Sequence, residues 1–170
     1  MLKYLYNSDI MLTDLNFIFE IADKEFGFKD DPNQYNPTEL EFYNLQKQFP
    51  FSFCIIKDKN KIIGFVTLLP CSKKLMNDFL SKKINEAELV KNIDENINLD
   101  NFDTLFLTAA YIDPNYRKKG IIKKTYKDMI RFYLNKNSNL VLFGWVFTDQ
   151  GLLLGKKLSA ECNLDFKYIK

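Results

Sequence analysis

The chain has 170 residues, 46% of them apolar and 27% charged, which suits one globular domain with a substantial core and excludes disorder throughout. A net charge of +2 is too small to indicate a nucleic-acid partner. No apolar run approaches the ~20 residues of a membrane helix. The absence of histidine excludes Ser-His-Asp and Cys-His catalysis and histidine-based zinc sites.

The start Met1-Leu2-Lys3-Tyr4-Leu5-Tyr6 lacks the apolar core of a signal peptide, so the expected compartment is the cytoplasm. Cys54, Cys71 and Cys162 are odd in number and far apart, which argues against a disulfide framework. There is no Cys-x-x-Cys pair and no Gly-x-x-x-x-Gly-Lys-Ser/Thr loop, so neither a structural metal nor the common triphosphate loop is expected.

In chain order, Lys3 to Tyr6 reads as a first strand. Thr13 is placed to cap a helix whose apolar stripe is Leu15, Ile18, Phe19, Ala22 and Phe26, with Gly27 as its stop. A polar loop from Lys29 to Asn36 leads to Pro37 and Thr38, which open a second helix through about Gln48. Phe51 to Lys57 and Lys61 to Leu69 read as strands joined by a hairpin at Asp58-Lys59-Asn60. Ser72 to Asp100 reads as helical. Thr104 to Ile112 is a mostly apolar run, as in a central strand covered on both faces. Asp113-Pro114-Asn115-Tyr116 turns the chain into a helix from about Arg117 to Leu134, with a buried stripe of Ile122, Tyr126, Met129, Ile130 and Tyr133. Leu140 to Phe147 is a second buried strand, parallel to the first if the helix between them is a right-handed crossover. A helix from Asp149 to Cys162 and a strand from Asn163 to Ile169 complete the order.

The chemistry concentrates where the central strand turns into the long helix. A helix N-terminus presents unpaired amides and a partial positive charge, which attract phosphate. Here the entering turn also carries Arg117, Lys118 and Lys119, and Gly120 permits close backbone approach. Arg117 is one of two arginines, with Arg131, in a chain that otherwise uses lysine. A planar, multi-donor cation suits a phosphate there.

The run Tyr111-Ile112-Asp113-Pro114-Asn115-Tyr116-Arg117-Lys118-Lys119-Gly120-Ile121 resembles the pyrophosphate-binding motif of the GNAT superfamily of acyl-coenzyme A-dependent N-acyltransferases. The order of elements over nearly the whole chain is similar to that family as well. The resemblance implies one α/β domain over residues 1–170. Its sheet would be mixed and mostly antiparallel, with a central parallel strand pair and helices on both faces, and a helical insertion would fall at about 72–100. It implies acetyl-coenzyme A or another acyl-coenzyme A as cosubstrate, no metal, and a small-molecule or peptide amine that attacks the thioester directly. The diphosphate would be held by the amides of Lys118, Gly120, Ile121 and Ile122, with charge from Arg117 and Lys119. The pantetheine arm would bond backbone groups of Ala110 and Ile112 where the two parallel strands splay, near Gly144. The Ile112 amide would stabilise the oxyanion. Glu25, Tyr111 and Tyr168 are the candidates for proton transfer.

Two features favour an alternative, a catalytically inactive module of the same fold that keeps a ligand or partner. Ile122 stands where the family motif has a second Gly or Ala. The last helix has no Tyr, the residue that often serves there as general acid. Membrane and nucleic-acid partners are not expected. A second copy of the chain is a candidate partner, because a seventh strand would be missing or supplied by it.

Overall fold

The computed structural model describes residues 1–170, the side chains of Ser8 and Phe28 excepted. Six strands form one sheet in sequential order: β1 (Leu2–Tyr6), β2 (Phe53–Asp58), β3 (Lys61–Cys71), β4 (Thr104–Ile112), β5 (Val141–Trp145) and β6 (Asp165–Ile169). β1 to β4 pair antiparallel, whereas β4, β5 and β6 run parallel. The expected parallel pair is therefore a parallel triple. Its cause is connectivity, because α5 (Ile121–Leu134) and α6 (Asp149–Cys162) each carry the chain back to the same end of the sheet before the next strand begins. The predicted hairpin forms with Asp58 opposite Lys61 and Lys59 in the left-handed region at φ 55°.

Four helices cover one face. α1 (Leu12–Phe26) and α2 (Glu39–Gln48) pack through Phe19 and Phe42 onto Phe53 and Phe65 of the sheet. The segment expected to be helical from Ser72 to Asp100 is two helices, α3 (Lys73–Leu80) and α4 (Glu86–Asn96), broken at Lys82, whose φ of 60° no helix continues through. Phe79 of α3 stands edge-on to Phe106, Phe143 and Trp145. The opposite face carries α5 and α6, where Gly155 of α6 lies so close to Phe166 that a Cβ there would collide with the ring.

Capping explains the helix starts. Thr38 caps α2 as expected, accepting from the Glu41 amide at 3.3 Å, while Glu41 Oε2 accepts from the Thr38 amide at 2.7 Å. Asn85 and Glu88 form the same reciprocal pair at the start of α4. Thr13 is not a cap. α1 begins at Leu12 behind Met11, without a side-chain cap, and ends on Gly27 in the left-handed conformation, whose amide bonds the Asp23 carbonyl at 2.8 Å.

The loop between α1 and α2 is tied to α4. The Ala87 amide donates to the Asn33 carbonyl at 3.2 Å, and the Tyr35 amide donates to Glu86 Oε2 at 3.1 Å. Burial raises the Glu86 carboxyl to about 7, with that single amide opposing it and Asp31 adding to the rise. No helix is long and apolar enough to cross a membrane among the described residues.

Candidate active site

β4 and β5 pair only from Thr104–Val141 to Leu107–Gly144, after which β4 continues alone on that side for five residues. Gly144 sits at the parting, where an added Cβ would press on the Leu107 carbonyl at 3.2 Å. A bulge falls at the same height on the other edge of β4. Its register against β3 shifts between Val66–Ala110 and Leu68–Leu107, so two residues of β4, Thr108 and Ala109, face Thr67 alone. The ladder carbonyls displaced by the bulge are met by the Tyr126 hydroxyl of α5, 3.2 Å from the Ala109 oxygen and 3.3 Å from the Thr67 oxygen. Beyond the bulge, the Asp113 amide donates to Ile63 on β3 at 2.7 Å. Because successive residues direct their backbone groups to opposite edges of a strand, Ala110 and Ile112 then direct theirs away from β3, into the space that β5 has left.

The turn after β4 is held by side chains. Asp113 Oδ1 accepts from the Asn115 amide at 3.0 Å and Oδ2 pairs with Lys61 Nζ at 3.1 Å; these contacts hold the carboxyl below its ordinary range. Tyr116 donates its hydroxyl to Asp58 Oδ2 at 2.7 Å, and Arg117 Nε donates to the Ile112 carbonyl at 3.3 Å. Lys119 Nζ lies 5.0 Å from the Tyr116 ring centre. Lys118 and Gly120 both take left-handed conformations, at φ 62° and 72°. α5 consequently starts at Ile121 rather than at Arg117, with no side-chain cap and no acidic residue in its first turn. The amides of Lys118, Gly120, Ile121, Ile122 and Lys123 meet no protein acceptor among the described residues, whereas that of Lys119 closes the turn over Arg117 and Lys118. That row of unpaired N–H groups, flanked by Arg117, Lys118 and Lys119, is a concavity suited to an anion.

The helix shift also corrects the predicted stripe. Ile121 and Thr125, rather than Ile122, are the buried residues of the first turn, and Ile122 is half-buried against the main core.

Of the proton-transfer candidates, Tyr111 lies just past the bulge, opposite Phe65 and stacked on it at 6.2 Å. Desolvation raises its phenol, as do the Glu25 and Asp113 charges in smaller measure, against Arg117 and Lys61. Glu25, exposed at the end of α1, is thus brought within electrostatic reach of Tyr111. Tyr168 is not brought to them. It lies on β6 opposite Gly144, stacked on Phe166 on the α6 side of the sheet. Burial pushes the Cys71 thiol up to about 12, as befits a core residue.

Sequence reasoning missed the part Tyr126 plays at the bulge, the place of Phe26, and the pair Trp145–Phe147, whose rings lie 4.5 Å apart beside the gap. The signal available was the pair of aromatics two apart directly after Gly144, a spacing that puts both rings on one face where the strand ends. No group of three or more potential metal-ligating Cys, Asp or Glu residues occurs among the described residues.

Solved structures share this fold. An aminoglycoside acetyltransferase, meta-AAC0020, from an uncultured soil metagenomic sample matches with a TM-score of 0.53 and 16% identity, covering 95% of this chain and 86% of its own. Naa20 of Chaetomium thermophilum, in complex with a bisubstrate analogue, matches with a TM-score of 0.55 and 15% identity over 92% of this chain and 69% of its own. AAC(6′)-Iy, in complex with the bisubstrate analogue CoA-S-monomethyl-acetylneamine, matches with a TM-score of 0.55 and 12% identity over 97% and 91%. No curated protein matches the chain in sequence. The family model described as Acetyltransferase (GNAT) family matches residues 15–151, a span that holds both the parted strands and the amide-lined turn, and the chain belongs to that family.

Proposed function

We propose that the protein transfers an acetyl or other short acyl group from acyl-coenzyme A to a primary amine, by direct attack of the amine on the thioester. One observation carries this reading: the row of unpaired amides at the start of α5 lies at the end of the same strand whose backbone groups open into a gap. A diphosphate and a thioester are the two ends of coenzyme A, and the arm between them needs backbone partners. In this reading the amides of Lys118, Gly120, Ile121 and Ile122 take the diphosphate, with charge from Arg117 and Lys119. The arm adds to the free edge of β4 at Ala110 and Ile112, and the Ile112 amide meets the developing oxyanion. Coenzyme A supplies the activated acyl group, and what the chain supplies is position and charge. The structural neighbour solved with a CoA-containing analogue supports that cosubstrate. The cytoplasm, where acyl-coenzyme A is found, is the proposed compartment.

The amine arrives protonated, since a free alkylamine has a pKa near ~10.4, and must lose a proton before attack. Tyr111 follows the bulge on β4, and the Glu25 charge reaches its phenol, which supports these two as the groups that handle the amine. Glu25 takes the proton in this proposal, and the phenol of Tyr111 orients the amine. Solvent at the open edge returns a proton to the departing thiolate, because α6 offers no tyrosine.

The test is a titration of the chain with coenzyme A, and with acetyl-coenzyme A plus amines while thiol release is followed. The expected result is binding that Arg117→Ala with Lys119→Ala weakens at least about tenfold without loss of the fold. Unchanged affinity in that variant removes the site. Binding without thiol release across a broad amine panel favours the inactive module, for which the tyrosine-free α6 is the supporting observation.

A further inference from the structure

The side of the gap away from α5 is walled by aromatic rings on both strands. On the β4 side Tyr111 stacks on Phe65, and Phe26 of α1, 39% exposed, stands edge-on to Phe65 at 6.5 Å. On the β5 side Phe147, 62% exposed, lies against Trp145 at 4.5 Å, and Trp145 is backed by Phe79 at 6.3 Å. The two walls stand at one height. β4 advances four residues from Leu107 to Tyr111, one of them absorbed by the bulge at Thr108–Ala109, and the chain advances three from Gly144 to Phe147, two residues past the end of β5. The bulge also keeps Tyr111 on the same face as Phe106, which Phe79 covers. The rings therefore belong to one face and flank one opening.

The charge in that opening is sparse. Lys61 and Asp113 neutralise each other at 3.1 Å, and Arg117 is turned back to the Ile112 carbonyl. Glu25, adjacent in sequence to Phe26, has no ion-pair or hydrogen-bond partner among the described residues. One unpaired carboxylate beside the β4-side wall, next to Phe26 and within electrostatic reach of Tyr111, suits a ligand with one ammonium group and an apolar body. It does not suit a polyamine or amino sugar, whose several cations and hydroxyls would be left without partners against the rings.

We infer that the acceptor is an amine with a single cationic nitrogen on an aryl or bulky apolar group, its ring held between Tyr111 and Phe147 and its ammonium facing Glu25. This rests on the acyl-transfer reading above and narrows it to a substrate class. The ammonium gives one proton to the Glu25 carboxylate, and the free nitrogen forms the new bond to the thioester carbon. The carbon–sulfur bond breaks with its electron pair leaving on coenzyme A sulfur, and the second proton shed by the nitrogen passes through solvent to that thiolate.

The experiment pairs a coenzyme A titration of the full chain with thiol release from acetyl-coenzyme A. The acceptors are phenethylamine, tryptamine, spermidine, sisomicin and a peptide with a free N-terminus. The expected result is kcat/KM for the aryl-alkylamines at least about tenfold above the rest. Phe147→Ala is expected to raise KM for phenethylamine about tenfold while leaving the coenzyme A Kd unchanged. Glu25→Gln is expected to lower kcat and move the acid limb of the pH profile, with Glu25→Asp recovering part of the rate. Coenzyme A binding together with preference for spermidine, sisomicin or the peptide, or with an unchanged KM in Phe147→Ala, overturns the acceptor class alone. Absence of coenzyme A binding overturns the acyl-transfer reading and this inference with it.

Discussion

The hydroxyl of Tyr126 lies 3.2 Å from the carbonyl oxygen of Ala109, and through that contact the long helix holds the one irregular point of the central strand. The same hydroxyl reaches Thr67 at 3.3 Å, so a single O–H is shared by two carbonyls that a bulge has taken out of the ladder. Tyr126 is fully enclosed, and burial pushes its phenol above the ordinary value, which keeps it a neutral donor. Tyr126→Phe removes the donor and keeps the ring. The expected loss is about 1–3 kcal/mol of unfolding free energy in urea, because two buried carbonyls lose their partner. A KM for acyl-coenzyme A that rises more than kcat falls would separate this backbone-positioning role from general destabilisation.

Gly120 tests the turn. At φ 72°, with open space where a Cβ would stand, the cost of Gly120→Ala is conformational rather than steric. It is expected to be about 1 kcal/mol of stability. Coenzyme A affinity is expected to fall as well, since the amides of the row follow the backbone angle at residue 120. Thermal unfolding with and without coenzyme A measures both.

Glu86 makes stability depend on pH. Its carboxyl is raised from the ordinary value to about 7, chiefly by burial. The folded state thus binds this proton more tightly than the unfolded chain does. The sign follows: its contribution is fully present below about pH 4.5 and is lost as pH rises through about 7. Glu86→Gln keeps an acceptor for the Tyr35 amide and cannot ionise. Relative to the native chain it should gain stability between about pH 5 and about pH 8, by an amount of order 2–3 kcal/mol. Denaturant midpoints at the two pH values provide the check.

Gly155 is required by Phe166. Gly155→Ala drives a Cβ into that ring and is expected to cost about 1–3 kcal/mol through overpacking. Adding Phe166→Leu should recover part of the loss, and a double-mutant cycle in urea isolates the coupling.

Much of this architecture can be read from residue order, and the exceptions share a cause. Thr38 and Glu41 stand three apart before an apolar run, a spacing that suits a capped helix, and they cap α2. Gly144 in an otherwise bulky strand points to the parting of β4 and β5. The start of α5 is misplaced by pattern because Lys118 takes a left-handed conformation that a lysine does not advertise. Ile121 and Ile122 fit helical spacing almost equally well, so periodicity alone does not choose which faces inward. The bulge at Thr108–Ala109 has no marker in a run of small residues, and without it Tyr111 and Phe147 do not come to one height. The parallel placement of β6 depends on a crossover that pattern cannot see.

α5 is fastened at three levels. Its start follows the amide-lined turn, its middle holds the bulge through Tyr126, and Tyr133 bonds the Pro50 carbonyl at 2.7 Å. Glu161 of α6 clasps Lys123 and Lys127 at 2.6 and 2.7 Å, contacts that hold its carboxyl down to about 2. Such a helix behaves as a ruler with both ends clamped. The amide-lined turn at its tip and the bulge beside Ala109 are thereby kept at a fixed separation, because the same rigid helix carries one and pins the other.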